Sequence, residues 1–156
     1  MTDNVERERK FLVADVGFLD GHTPERIAQA YIVSNESVEL RVRLGSGSSL
    51  LTIKSGEAFV VRDEFEFELP SRDLATALFD TSALVILKDR YSVVSDGGVW
   101  DVDVFLGRNK GLVVAEIEFD EGQLITIPEW CGEEVTADPK YYNRSLAAQP
   151  FDLWNT

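Results

Sequence analysis

The chain of 156 residues has one cysteine, one methionine, one histidine and only five prolines. A single thiol, Cys131, rules out an internal disulfide and a cysteine-based zinc cage, and a reducing cytoplasm is the expected home. No apolar run approaches the ~18–20 residues needed to cross a bilayer. The opening segment MTDNVERERK carries no apolar stretch of the secretory kind, so no leader is expected. Basic residues are also scarce: 15 Lys and Arg stand against 28 Asp and Glu, a formal charge of -13. Such a surplus of acid should repel nucleic acid and anionic membranes, so neither is expected as a partner. With 44% hydrophobic and 28% charged residues, the composition is that of a folded globular chain, read as one domain over 1–156 with a tail from about 149 that is free to hang loose.

What is abundant is charge at every second position. Glu6, Glu8 and Lys10 open the series. Glu39, Arg41 and Arg43 alternate with Leu40, Val42 and Leu44, and Lys54 follows Leu51 and Ile53 in opposite phase. Glu64 and Glu66 flank Phe65, Lys88 and Arg90 share a phase, and Asp101, Asp103, Glu116 and Glu118 alternate with apolar partners. Period two is the mark of strands with chemically different faces. Short punctuation at Gly45–Ser48, Asp96–Gly98 and Gly107–Gly111 favours antiparallel hairpins, giving a meander of seven or eight strands. Three helices are predicted: one opening at Thr23-Pro24-Glu25 through Ile27 and Ala30, one capped by Ser71 with a Leu74, Leu78, Phe79 stripe, and one from Asp138-Pro139 through Ala147.

Solvated strand faces usually mix Thr, Ser, Gln and Lys, whereas here the polar positions are almost wholly ionic and grouped by sign. Like charges on one strand face repel, so such rows need neutralising. A sheet closed into a barrel with its charged face inward accounts for them. The inward set would be Glu6, Glu8, Glu39, Glu64, Glu66, Asp101, Asp103, Glu116 and Glu118, with Lys10, Arg41, Arg43, Lys54, Lys88 and Arg90. Acids outnumber bases, and all-carboxylate donors suit Mg2+ or Mn2+ over Zn2+. The bases would then serve a polyanion, so a metal–polyphosphate complex is the natural ligand. The outer apolar face would need cover from helices or a second copy, so a homodimer is expected.

Glu6-Arg7-Glu8-Arg9-Lys10 resembles the E-x-E-x-K signature of the triphosphate tunnel metalloenzymes, or CYTH proteins. The likeness continues in order through Glu39–Arg43, Thr52-Ile53-Lys54, Glu64–Glu66, Lys88–Tyr91, Asp101–Phe105 and Glu116–Phe119. Gly132–Thr136 and Lys140-Tyr141-Tyr142-Asn143 follow, the latter similar to the family's R-Y-x-N. The resemblance spans roughly residues 4–148. It implies an all-β fold with a few helices (α+β): an eight-stranded antiparallel closed barrel with a polar, charged interior. It implies a metal-dependent hydrolase of triphosphates, inorganic triphosphate first among them, with Mg2+ or Mn2+ as cofactor. Glu6, Glu8, Glu116 and Glu118, with Asp101 or Asp103, are the implied metal-binding acids. Lys10, Arg41, Arg43, Lys54, Lys88, Arg90 and Lys140 are the implied phosphate contacts, although Lys140 stands where the family commonly has Arg. Tyr31 matches a tyrosine that partners the signature lysine in some members, so Lys10 and Tyr31 are the implied catalytic pair, with Glu39, Glu64 and Glu66 in support. Alternatives are a class IV-type adenylate cyclase, a thiamine triphosphatase and a non-enzymatic polyphosphate- or nucleotide-binding module.

Overall fold

The computed structural model describes residues 7–35, 37–55, 63–95 and 97–154. Its eight strands are β1 (Glu8–Leu12), β2 (Glu25–Ser34), β3 (Val38–Leu44), β4 (Ser49–Ser55), β5 (Asp63–Glu68), β6 (Val85–Ser95), β7 (Gly98–Phe105) and β8 (Val113–Glu118). The helices are α1 (Arg72–Phe79) and α2 (Asn143–Ala148). The strands form one eight-stranded sheet, ordered β1-β8-β7-β6-β2-β3-β4-β5, so the fold is α+β with β1 and β5 at its ends. Among the described residues no helix is long and apolar enough to cross a membrane.

The chain divides into two compact units, one of Arg26–Leu87 and one of residues 7–25 with 88–154. In the first, β3 pairs with β2 on one side and β4 on the other, and β4 pairs with β5, all antiparallel. Val42 and Ala30 pack with Ala75 of α1, and Ile32, Leu44, Leu78 and Phe79 join them. Ser71 caps α1 as predicted, its hydroxyl accepting from the Leu74 amide. The buried stripe is Ala75, Leu78 and Phe79 rather than Leu74, Leu78 and Phe79, since Leu74 points to solvent. Removing the cap leaves an amide of the first turn without its side-chain acceptor. Ser71→Ala should therefore cost about 1 kcal/mol, seen as a melting temperature lowered by roughly 2–4 °C. On the same apolar side of the sheet Phe65 and Phe67 of β5 remain 53% exposed.

The predicted helix at Thr23-Pro24-Glu25 is instead β2. Gln29 opposes Arg43 and Tyr31 opposes Arg41 across the ladder, and a bulge at Ile32 shifts the register before Val33 meets Leu40. The alanines Ala28 and Ala30 favour helix intrinsically, but cross-strand pairing with β3 overrides that weak preference. The third predicted helix is broken. A single 3-10 turn, Pro139–Tyr141, is capped by the Asp138 carboxylate, and α2 begins only after Tyr142, which is extended.

In the second unit β8 lies between β1 and β7, and β7 pairs with β6. Its core is Phe11, Val93, Trp100, Val102, Ala115 and Ile117, all on one face of these strands. Here the cover is not α-helical: Phe18 and Leu19 from a 3-10 turn (Gly17–Leu19), with Ile125, Trp130 and Cys131 from irregular segments, lie on it. Trp100 meets Phe11 and Trp130 edge-on, at 5.7 and 5.5 Å between ring centroids, and Trp130 stacks on Phe18. At the β6–β7 turn Gly97 has φ of +100°, and a Cβ there would come within 2.9 Å of the Thr126 amide nitrogen, which explains the glycine.

Candidate functional site

Because side chains alternate, the face opposite each apolar core collects the charged positions. In the second unit the registers Lys10↔Glu116, Glu8↔Glu118, Asp101↔Glu116 and Arg90↔Asp103 bring them side by side. The Lys10 ammonium lies 3.0 Å from Glu8 Oε1 and donates to Glu116 Oε1 at 2.8 Å. Arg90 grips Asp103 with Nε and Nη2, both at 2.7 Å, and reaches Asp101 at 3.0 Å and Glu116 at 3.3 Å. Lys88 donates to the second oxygen of Asp103. Ser92, opposite Asp101, donates to it at 3.0 Å.

Exposure grades along this face. The Asp103 side chain is fully buried and that of Lys88 is 2% exposed, whereas those of Asp101 and Glu8 are 37% and 39% exposed. Phe105, Val114 and Leu12 share the face and continue it beyond Lys88 and Asp103 with apolar groups, Phe105 lying directly opposite Lys88.

The titration of these groups follows from burial and pairing. Burial would push the Asp103 carboxyl up, but Lys88 and Arg90 outweigh it and hold the group below its ordinary value. Glu116 behaves alike: burial and Asp103 raise it, while Lys10, Lys88 and Arg90 bring it below the usual range. Burial likewise opposes the charge on Lys10, but Glu116 and Glu8 raise its pKa. Lys88 goes the other way, because burial dominates and its one contacting acid is shared with Arg90.

In the first unit the charged face carries Gln29 and Tyr31 of β2, Glu39, Arg41 and Arg43 of β3, Thr52 and Lys54 of β4, and Glu64 and Glu66 of β5. Lys54 pairs with Glu64 at 2.8 Å. Thr52 donates to Glu66 at 3.3 Å. Arg41 reaches its acids only loosely, Glu39 at 3.8 Å and Glu64 at 3.6 Å, and its buried Nε finds no hydrogen-bond acceptor among the described residues. Gln29 donates to the Tyr31 hydroxyl at 2.7 Å, and burial raises the Tyr31 phenol far above its ordinary value despite the nearby Arg41.

Most predicted site residues thus fall into two ionic rows. One holds Glu8, Lys10, Lys88, Arg90, Asp101, Asp103, Glu116 and Glu118, the other Tyr31, Glu39, Arg41, Arg43, Lys54, Glu64 and Glu66. Glu6 lies outside the described residues. Lys140 joins neither row: its half-exposed ammonium sits 3.5 Å from Asp138 and over the rings of Tyr141 and Trp154. Gln29, Thr52 and Ser92 were missed, being neutral residues amid charge whose burial or pairing appears only in the folded chain. Among the described residues of the second unit's row five carboxylates face three cations, and the candidate metal donors are oxygen throughout. That surplus and donor chemistry fit a hard divalent cation. No group of three His, Cys, Asp or Glu among the described residues is already gathered as a metal cage. Asp103, with both oxygens engaged, is the least available of the acids.

Antiparallel strands that carry rows of acids and bases on one face and an apolar core on the other define a class of β protein whose polar face is ionic throughout. This chain belongs to the CYTH domain family, whose model matches residues 4–144. It is 36% identical over 148 residues to the inorganic triphosphatase of Acetivibrio thermocellus, covering 94% of this chain and 95% of that protein. It is also 36% identical over 148 residues to the inorganic triphosphatase of Nitrosomonas europaea, with coverage of 91% and 96%. The crystal structure of the inorganic triphosphatase NE1496 superposes with a TM-score of 0.69 at 34% identity, covering 91% of this chain and 93% of that one. PH1012 from Pyrococcus horikoshii, at 23% identity and a TM-score of 0.54 over 75% of this chain and 79% of that one, shares the fold.

Proposed function

We propose that this protein is a metal-dependent triphosphatase that hydrolyses inorganic triphosphate to diphosphate and phosphate. The observation that carries the reading is Arg41, a largely buried guanidinium with loosely held acids whose Nε has no acceptor among the described residues. An unsatisfied buried donor is costly, and a phosphate oxygen would satisfy it. The names of the two relatives lend the substrate.

In the first unit Arg41, Arg43 and Lys54 would bind phosphate oxygens, with Glu39, Glu64 and Glu66 setting their orientation. Tyr31, neutral at all working pH and held by Gln29, would offer a hydroxyl rather than a phenolate. In the second unit Lys10, Lys88 and Arg90 would stabilise charge on the transferred phosphoryl and leaving groups. Glu8, Glu116, Glu118 and Asp101, with Glu6, would hold Mg2+ or Mn2+. That ion, when bound, supplies Lewis acidity and a more acidic water. Asp103 is reserved for holding Lys88 and Arg90, and Lys140 is assigned no step. A single thiol fits residence in the reducing cytoplasm.

Phosphate release from tripolyphosphate should appear with Mg2+ or Mn2+, vanish with excess chelator and return when the metal is replenished. Folded protein that releases none under either metal would overturn the reading. Calorimetric binding without turnover would assign a binding module instead, and cyclic AMP formed from ATP would assign a cyclase.

A further inference from the structure

We propose that Thr136, backed by Glu134 and Arg9, is a positioning residue that fixes β1 so that the Lys10 ammonium bridges Glu8 and Glu116; this rests on the triphosphatase reading. β1 ends the sheet order, so one of its edges faces away from β8. Unpaired edge groups of a half-buried strand need partners. The segment Gly132–Thr136 supplies them. The Leu12 amide donates to the Glu133 carbonyl at 2.9 Å, and the Leu12 carbonyl accepts from Gly132 at 2.7 Å. The Lys10 carbonyl accepts from the Val135 amide at 2.8 Å. The Lys10 amide, next in line, donates to a side chain instead: Thr136 Oγ1 at 3.0 Å.

That hydroxyl has a fixed direction. It donates its own proton to Glu134 Oε1 at 2.8 Å, which leaves an oxygen lone pair for the Lys10 amide. Glu134 is in turn clamped by Arg9, whose Nε and Nη2 donate at 2.9 and 2.6 Å, and Arg9 lies over the Phe11 ring at 5.0 Å. The bonds from Arg9 and Thr136 draw the Glu134 carboxyl down to about 2, so it stays an acceptor at every working pH. Alternation puts Arg9 on the face opposite Lys10, so one short strand carries both the ionic row and its anchor. Displacing a catalytic group by ~1 Å can cost as much as about a hundredfold in rate, so the anchor bears on turnover rather than on affinity.

The test uses the full chain with Thr136→Val, Thr136→Ser and Glu134→Gln, tripolyphosphate as substrate, and amide hydrogen exchange at Lys10 read by NMR. Thr136→Val should lower kcat about tenfold with KM within about twofold, and speed exchange at the Lys10 amide by about tenfold, the loss of one hydrogen bond. Thr136→Ser, which keeps the hydroxyl, should restore both. Wild-type kcat and amide protection in Thr136→Val would overturn the proposal, as would Thr136→Ser being equally impaired. Should Thr136→Val fail to fold, Glu134→Gln decides: faster Lys10 exchange with lower kcat supports the anchor, and no change in either overturns it. If the wild type releases no phosphate, the triphosphatase reading falls by itself, and the exchange measurements still decide whether Thr136 and Glu134 hold β1.

Discussion

Asp103→Asn is expected to destabilise the fold by about 3–5 kcal/mol, the usual cost of removing one partner from a buried ionic pair. An amide offers Lys88 and Arg90 a single neutral acceptor in place of two charged ones, and its NH2 group would face one of the two cations. Lys88 can shed its proton and Arg90 cannot, so the residual charge falls on the guanidinium. The pH dependence identifies the cause. Asp103 and Glu116 titrate lower when folded than unfolded. Their stabilisation is therefore complete above the ordinary carboxylate range and lost as pH falls through it toward their folded values. Thermal melts from pH 7 down to 2 should show a steep acid limb in the wild type and a shallower one in Asp103→Asn. Equal limbs, or a melting temperature unchanged at neutral pH, would remove Asp103 from this role.

Glu116→Gln is expected to lower the rate of phosphate release at least about a hundredfold, the scale at which single electrostatic and metal-supporting groups act. Glu116 touches Lys10 through one oxygen and Arg90 through the other. The substitution therefore loosens both cations and removes a carboxylate from the proposed metal-holding set. A higher metal concentration should recover part of the loss, because affinity for the ion is one component. Full activity at ordinary metal levels would detach Glu116 from catalysis.

The ionic rows were legible because strand geometry writes itself as period two when alternate residues differ in charge. Glu39–Arg43, Asp101–Asp103 and Glu116–Glu118 announce both their strands and their faces. β2 escaped for the same reason inverted. Glu25 at its start is the lone charge in the ionic phase, since Ile27, Gln29 and Tyr31 carry none, and the bulge at Ile32 breaks the period beyond them. The pairing of acids with bases across strands was equally hidden, since it depends on register. The sequence reading put Glu6, Glu8, Glu116 and Glu118 first for the metal and added Asp101 or Asp103, whereas the fold commits Asp103 to Lys88 and Arg90. The cover over the Trp100 face was missed because irregular segments such as Ile125–Cys131 have no periodic signature.

With Phe105, Val114 and Leu12 beyond its buried end, the ionic row of the second unit meets solvent mainly at Glu8 and Asp101. Dissolved salt reaches Glu8 and Asp101 and shields them over about a Debye length, ~8 Å at physiological strength. Behind them the buried Lys88 and Asp103 are screened far less. Ionic strength thus dims the rim of this face while its inner end stays bright.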